Sequence, residues 1–323
     1  MPFEFMPILL ILSAIAFVTQ FIDSALGMGF GSMATPILLI LGYEPREIVP
    51  AILITELIAG IVVTVFHKLF ENLQLGIQKE EGKKSSATDK QDKEVETSSK
   101  DEWEEQLADK IDDLTIDSKV IIILSAFAVI GTIIASSLSV VFEKSSEFTL
   151  GVKIYIGLMI AIIGLVLIIL RNKDFKLSWP RIISLGALAG FNKGLSGGGY
   201  GPLTVSGQIL SGRDEKHAIA STLLAETIAV FAGAITYVLT HIFVNLSHQE
   251  PLIWDYLRLT PYLLIGAVAA APLAAYATNK LKDDWINIAV GSVSILLGVF
   301  TLIRVVLFEL GLWENIPEFV EML

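Results

Sequence analysis

Two glycine-rich stretches, 170 positions apart, share a phenylalanine and three glycines in the same register, and neither suits an ordinary membrane helix. The first reads Phe21-Ile22-Asp23-Ser24-Ala25-Leu26-Gly27-Met28-Gly29-Phe30-Gly31. The second reads Gly190-Phe191-Asn192-Lys193-Gly194-Leu195-Ser196-Gly197-Gly198-Gly199-Tyr200-Gly201-Pro202. Phe21 matches Phe191, Gly27 matches Gly197, Gly29 matches Gly199, and Gly31 matches Gly201. The register continues without a gap: Gly42 meets Gly212, Arg46 meets Lys216, Leu53 meets Leu223, and Glu56 meets Glu226. A duplicated chain folds as two similar halves, and the glycine tracts inside apolar surroundings are its candidate working site.

The 323 residues are 53% hydrophobic and 18% charged, with a mean hydropathy of +0.67. Soluble domains carry about 25% charged residues, so the chain is read as a polytopic membrane protein and not as a globular enzyme. The start, Met1-Pro2-Phe3-Glu4, lacks the basic region of a cleaved signal peptide. With no cysteine, thiolate catalysis, disulfides and cysteine-ligated metals are excluded. The net charge of −11 says little about substrate, because about fifteen acidic residues fall between Glu71 and Asp117.

Apolar runs predict helices near 6–22, 25–41, 47–66, 120–142, 150–170, 182–191, 202–210, 217–244, 256–278 and 285–308. The fold class is therefore all-α, with two inverted-topology repeats and about ten hydrophobic segments. A full span needs about 20 residues, so the short pairs around each glycine tract read as hairpins whose tips end inside the bilayer. Each half holds five segments if the hairpins cross and three if they turn back. Both counts are odd, which inverts the second half. Arg171, Lys173, Lys176, Arg181, Arg213, Lys216, Lys280 and Lys282 fall on one side, cytoplasmic by the positive-inside rule. Both termini are then expected outside a plasma membrane. The division is 1–66 and 120–172 for the first repeat, 173–323 for the second, and 67–119 for a soluble cytoplasmic insert. Disorder is expected from Gly82 to Lys100, and Trp103, Leu107, Ile111 and Leu114 share one face of a short amphipathic helix. That helix reads first as one resting on a membrane or protein surface, with a regulatory role as the alternative.

Consecutive glycines followed by proline favour a backbone break over close helix packing. Broken backbone at membrane depth is tolerated only inside protein or beside a water-filled cavity. Helices restarting near Gly31 and Gly201 aim free N–H groups at the breaks, which makes anion sites. Broken helices meeting in an inverted repeat are the binding-site pattern of secondary transporters. Candidate substrate-binding residues are Asn192, Lys193, Ser196, Gly197, Gly198, Gly199 and Gly201 in the second half. In the first half they are Asp23, Ser24, Gly27, Gly29, Gly31 and Ser32. Lys193 and Asp23 are equivalent, so a salt bridge between them is the structural alternative to an anion-binding lysine. Glu56 and Glu226 sit mid-run, where a charge costs about 2.5–3.5 kcal/mol. They are the candidate proton-coupling residues, or else neutral carboxyls bonded to a neighbouring helix. His67, His217 and His241 lie near run ends and are not spaced as a metal site. Gly194-Leu195-Ser196-Gly197 also fits the nucleophile pattern of rhomboid intramembrane proteases, with His241 or His217 as partner. Gly27 at the equivalent position and the duplicated glutamates argue against it.

These residues resemble the TauE/SafE family, also called toluene-sulfonate uptake permeases. The resemblance rests on Asp23 to Gly31 with Pro36, and on Gly190 to Pro202. It implies plasma-membrane carriers of sulfite, sulfonates and related anions, with both import and export among members. The acidic insert is outside that pattern. The expected function is a secondary transporter of a small sulfur-containing anion, with protons as candidate coupling ion. A passive anion channel on the same scaffold is the alternative. Expected partners are the anion and the lipid bilayer, with a homo-oligomer compatible; no cofactor, metal or nucleic acid is expected.

Overall fold

The computed structural model describes residues 5–27, 29–76, 114–170, 178–246, 257–278, 280 and 283–312. Its first-half helices are α1 (Phe5–Leu26), α2 (Phe30–Ile40), α3 (Pro45–Leu69), α4 (Ile116–Val141) and α5 (Ser146–Leu170). The second half repeats them as α6 (Trp179–Ser196), α7 (Tyr200–Ile209), α8 (Glu215–Leu246), α9 (Thr260–Ala277) and α10 (Asp283–Glu309). Local chemistry sets the ends. Glu44 and Glu47 close a capping box ahead of Pro45 on α3, and Thr115 accepts the Ser118 N–H at the start of α4. Gly197, at φ 73°, ends α6 in the left-handed conformation that only glycine adopts without cost. Both α1 and α6 run further than the hydropathy predicts. Asp23, Ser24, Asn192, Lys193 and Ser196 therefore stand on final helical turns and not in unwound chain. Helix persists through these polar residues because its backbone bonds are internal, and it yields only at a glycine with positive φ.

The halves are related by inversion. Equivalent helices α5 and α10 pack together with opposite polarity: Gly157 faces Gly298 and Leu302, while Gly164 faces Gly291 and Ile295. Gly157-x6-Gly164 and Gly291-x6-Gly298 are the same spacing, and small residues there let the two backbones touch. Equivalent helices α3 and α8 also run antiparallel, with Gly60 on Thr227 and Leu53 on Gly233. Contacts elsewhere swap halves in pairs. Helix α1 packs on α9 as α6 packs on α4, and α3 packs on α9 as α8 packs on α4.

Both hairpins turn back. Gly207 near the end of α7 meets Leu185 near the start of α6, so the α6–α7 hairpin opens on the side of the insert. In the other half, α1 runs parallel to α9, with Ser13 by Gly266 and Ser24 by Thr278. Helix α2 runs from Gly31, opposite Glu56 in mid-α3, back to the start of α3. Ten or eleven residues rise about 15 Å, half of a hydrocarbon core about 30 Å thick. Among the described residues, seven helices are long and apolar enough to span. One of them, α1, ends at the glycine break, which leaves three crossings in each half. Within 67–119, residues 77–113 lie outside the described ones, and with them most of the expected amphipathic helix.

Candidate functional site

The two breaks meet. A Cβ on Gly31 would overlap the carbonyl oxygen of Gly197, and one on Gly201 would sit 2.5 Å from the Gly27 oxygen. Further bonds sew the tips together. Gly199 N–H donates to Ser32 Oγ at 2.8 Å, and the Thr35 hydroxyl donates to the Ser196 carbonyl at 2.9 Å. Ser196 Oγ donates to Asn192 O at 2.7 Å and accepts the Gly198 N–H at 3.2 Å. Among the described residues no histidine bonds that serine, and His217 meets Asp117 instead.

Sequence reasoning kept the lysine and the glutamates apart; packing joins them. Lys193 is fully buried, and its ammonium lies between Glu56 of the first half and Glu226 of the second. The Glu226 contact is 2.7 Å. The alternative pair, Lys193 with Asp23, does not form, because Asp23 points along the break. Its Oδ1 accepts the Gly29 N–H at 2.7 Å, and its Oδ2 accepts Gln20 Nε2 at 3.2 Å. Gln20 also donates to Ser24 Oγ at 2.8 Å. Gly31 N–H, on the first turn of α2, donates to Glu56 Oε1 at 3.3 Å. Carboxylates thus take the place of a bound anion at the positive end of α2. The cluster holds three buried carboxyl groups, two of them on the one ammonium, so with all of them ionised its formal charge is −2. A cavity of about 10 Å³ lined by Gln20, Asp23, Glu56, Gly60 and Glu226 has room for about one water. The site is occluded.

Asp23→Ala is expected to cost about 1–2 kcal/mol, the scale of a lost N-cap, read by thermal unfolding in detergent. Asp23→Asn keeps an acceptor oxygen and should lose far less. Equal losses would mean that charge, not the hydrogen bond to Gly29, is what matters there.

Several pairings escaped the sequence reading. The Tyr155 hydroxyl bonds Asn192 Oδ1, and Tyr200 is fully buried against Ala229, one turn beyond Glu226. Each hairpin base is tied to a spanning helix. Glu44, after α2, pairs with Lys153 of α5 at 2.9 Å. Arg213, after α7, pairs with Asp117 of α4, which also meets His217 Nδ1 at 2.9 Å. Burial pulls the Arg213 guanidinium down from its ordinary value, and the Asp117 carboxylate opposes the shift. Two larger hollows, about 510 and 430 Å³, lie at this base and are not lined by Lys193. Only the repeated Gly-x6-Gly spacing could have been found from sequence; the other partners come from distant segments.

Six crossings among the described residues, two inverted halves and a polar cluster where broken helices meet define a polytopic membrane transporter. The chain belongs to the sulfite exporter TauE/SafE family, whose model matches residues 108–301, more than half of its length. It is 24% identical over 309 residues to the probable membrane transporter protein YtnM of Bacillus subtilis (strain 168), covering 92% of this chain and 83% of that one. No solved structure matches.

Proposed function

We propose that the protein is a secondary carrier of a small sulfur-containing anion, sulfite or an organosulfonate, in the plasma membrane. The observation that carries this reading is Lys193, a fully buried ammonium held between glutamates of opposite halves where the two breaks touch. A charge kept at membrane depth despite its cost marks a substrate or proton pathway. Lys193, Asn192, Ser196 and the amides from Gly197 to Gly201 would hold the anion, with Asp23, Ser24, Gly27, Gly29, Gly31 and Ser32 shaping the facing wall. Glu56 and Glu226 would carry protons.

The hairpins open to opposite sides, so loosening one base at a time would expose the centre alternately. The Glu44–Lys153 and Asp117–Arg213 pairs are placed to hold those bases shut. Placing the base of α6–α7 in the cytoplasm, with the insert, follows from the basic residues on that side and puts both termini outside. The division into first repeat (1–66 and 120–172), insert (67–119) and second repeat (173–323) belongs to the same reading.

The test is uptake of radiolabelled sulfite by reconstituted protein. A carrier saturates and shows counterflow when the vesicles are preloaded with the unlabelled anion. Flux linear in concentration and without counterflow would replace the carrier with an anion channel.

A further inference from the structure

The two halves bring the same helix terminus to the axis and fill it differently. At α2 the protein supplies its own anions, Asp23 on the Gly29 amide and Glu56 on the Gly31 amide. At α7 the residue equivalent to Asp23 is Lys193, and Glu226 contacts that lysine at 2.7 Å. Among the described residues, the N–H groups of Tyr200 and Gly201 have no acceptor, and Pro202 has no N–H to give. Glu226 Oε2 and the Tyr200 hydroxyl, both buried, also lack hydrogen-bond partners. The terminus meets the end of α6, since a Cβ on Gly199 would stand 3.2 Å from the Cβ of Asn192, the residue before Lys193. Unpaired amide donors at a buried helix end, on the same hairpin as a buried ammonium, complement an oxyanion.

We propose that the transported anion binds in the second half alone, at the amino terminus of α7 beside Lys193, and that Glu226 takes up a proton as the anion arrives. Glu56 stays on the Gly31 amide throughout. The proposal rests on the carrier reading above and makes two equivalent glutamates unequal. Its physical reason is charge conservation. An anion added to a buried cluster that already has three carboxyl groups and one ammonium raises the desolvation cost. One proton moving from water onto a Glu226 oxygen, as that oxygen leaves the lysine, holds the formal charge of the cluster constant. The groups facing Glu226 are Lys193 of α6, Glu56 of α3, Asp23 of α1 and Tyr200 of α7. Helix α2 has no ionisable residue, and those of α4 and α9 lie toward their ends. Tyr155 of α5 is bonded to Asn192 instead.

Calorimetric titration of the purified full-length protein with methanesulfonate, which stays a monoanion throughout the assay range, tests this. Repeating it in buffers of different ionisation enthalpy counts the protons taken up. Wild type should take up about one proton per anion, with affinity rising as pH falls, as linkage requires. Glu226→Gln should bind with a pH-independent affinity and no uptake, while Glu226→Asp retains uptake. Glu56→Gln should bind more weakly yet keep the uptake, so it decides the question even if Glu226→Gln fails to fold. Wild type that binds without proton uptake, or uptake lost in Glu56→Gln and kept in Glu226→Gln, overturns the proposal alone. Wild type that binds neither methanesulfonate nor sulfite overturns the carrier reading with it.

Discussion

Lys193→Met is expected to abolish binding of sulfite and methanesulfonate and to destabilise the protein by about 3–5 kcal/mol, the cost of removing one partner of a buried ion pair. Methionine keeps the length and flexibility of the lysine stem, so packing changes little and charge changes fully. What remains is Glu56 and Glu226 facing each other across the axis, with Asp23 nearby and no cation among them. Stability and binding can be separated by a second change. Lys193→Met combined with Glu226→Gln removes one of the uncompensated carboxylates and should recover a large part of the lost stability, a coupling that a double-mutant cycle measures. Binding should stay lost. Thermal unfolding in detergent reads the first quantity and calorimetry the second. Unchanged anion affinity in the single variant would leave Lys193 a purely structural tie between the halves.

Gly31→Ala carries the second large effect, with a sign opposite to helix propensity. Alanine favours a helix over glycine by about 1 kcal/mol, and Gly31 lies in the first turn of α2. Its Cβ, however, would overlap the carbonyl oxygen of Gly197 and come within 3.0 Å of the Gly198 Cα, both of them backbone. Backbone cannot rotate aside as a side chain can, so the tips must separate. Overpacking costs about 1–3 kcal/mol or more; here it also parts the Thr35–Ser196 and Ser32–Gly199 bonds. Gly151→Ala is the control, since it lies in α5 with nothing near its added carbon and should be neutral or slightly stabilising. Folded yield and unfolding temperature compare the two. Gly31→Ala as stable as wild type would mean that the breaks do not touch.

Much of this architecture was open to inspection in the chain itself. A Phe-x5-Gly-x-Gly-x-Gly pattern repeated at a fixed interval, a glutamate in register in each copy, and an odd number of apolar segments per half are one-dimensional facts. They predict a duplication, helix breaks and inversion before any contact is known. Segment lengths were less legible. Hydropathy ended α1 at Ile22 and α6 at Phe191, whereas both helices continue to the glycine that can adopt positive φ. A charged side chain on a last turn lowers the hydropathy without breaking a backbone bond, so the two signals part company there.

Hydropathy, glycine content and parity are properties of local chain, and they were enough to set out a helical membrane protein of two inverted halves with helix breaks at Gly27–Gly31 and Gly197–Gly201. Packing settled that the hairpins turn back, that Lys193 pairs with Glu56 and Glu226 and not with Asp23, and that the Gly31 amide of α2 meets a carboxylate while, among the described residues, the Tyr200 and Gly201 amides of α7 meet none. Those outcomes depend on which helix faces which. A single exchange of aspartate for lysine at equivalent positions then lets one half cap its own helix, while the other turns its charge toward the axis.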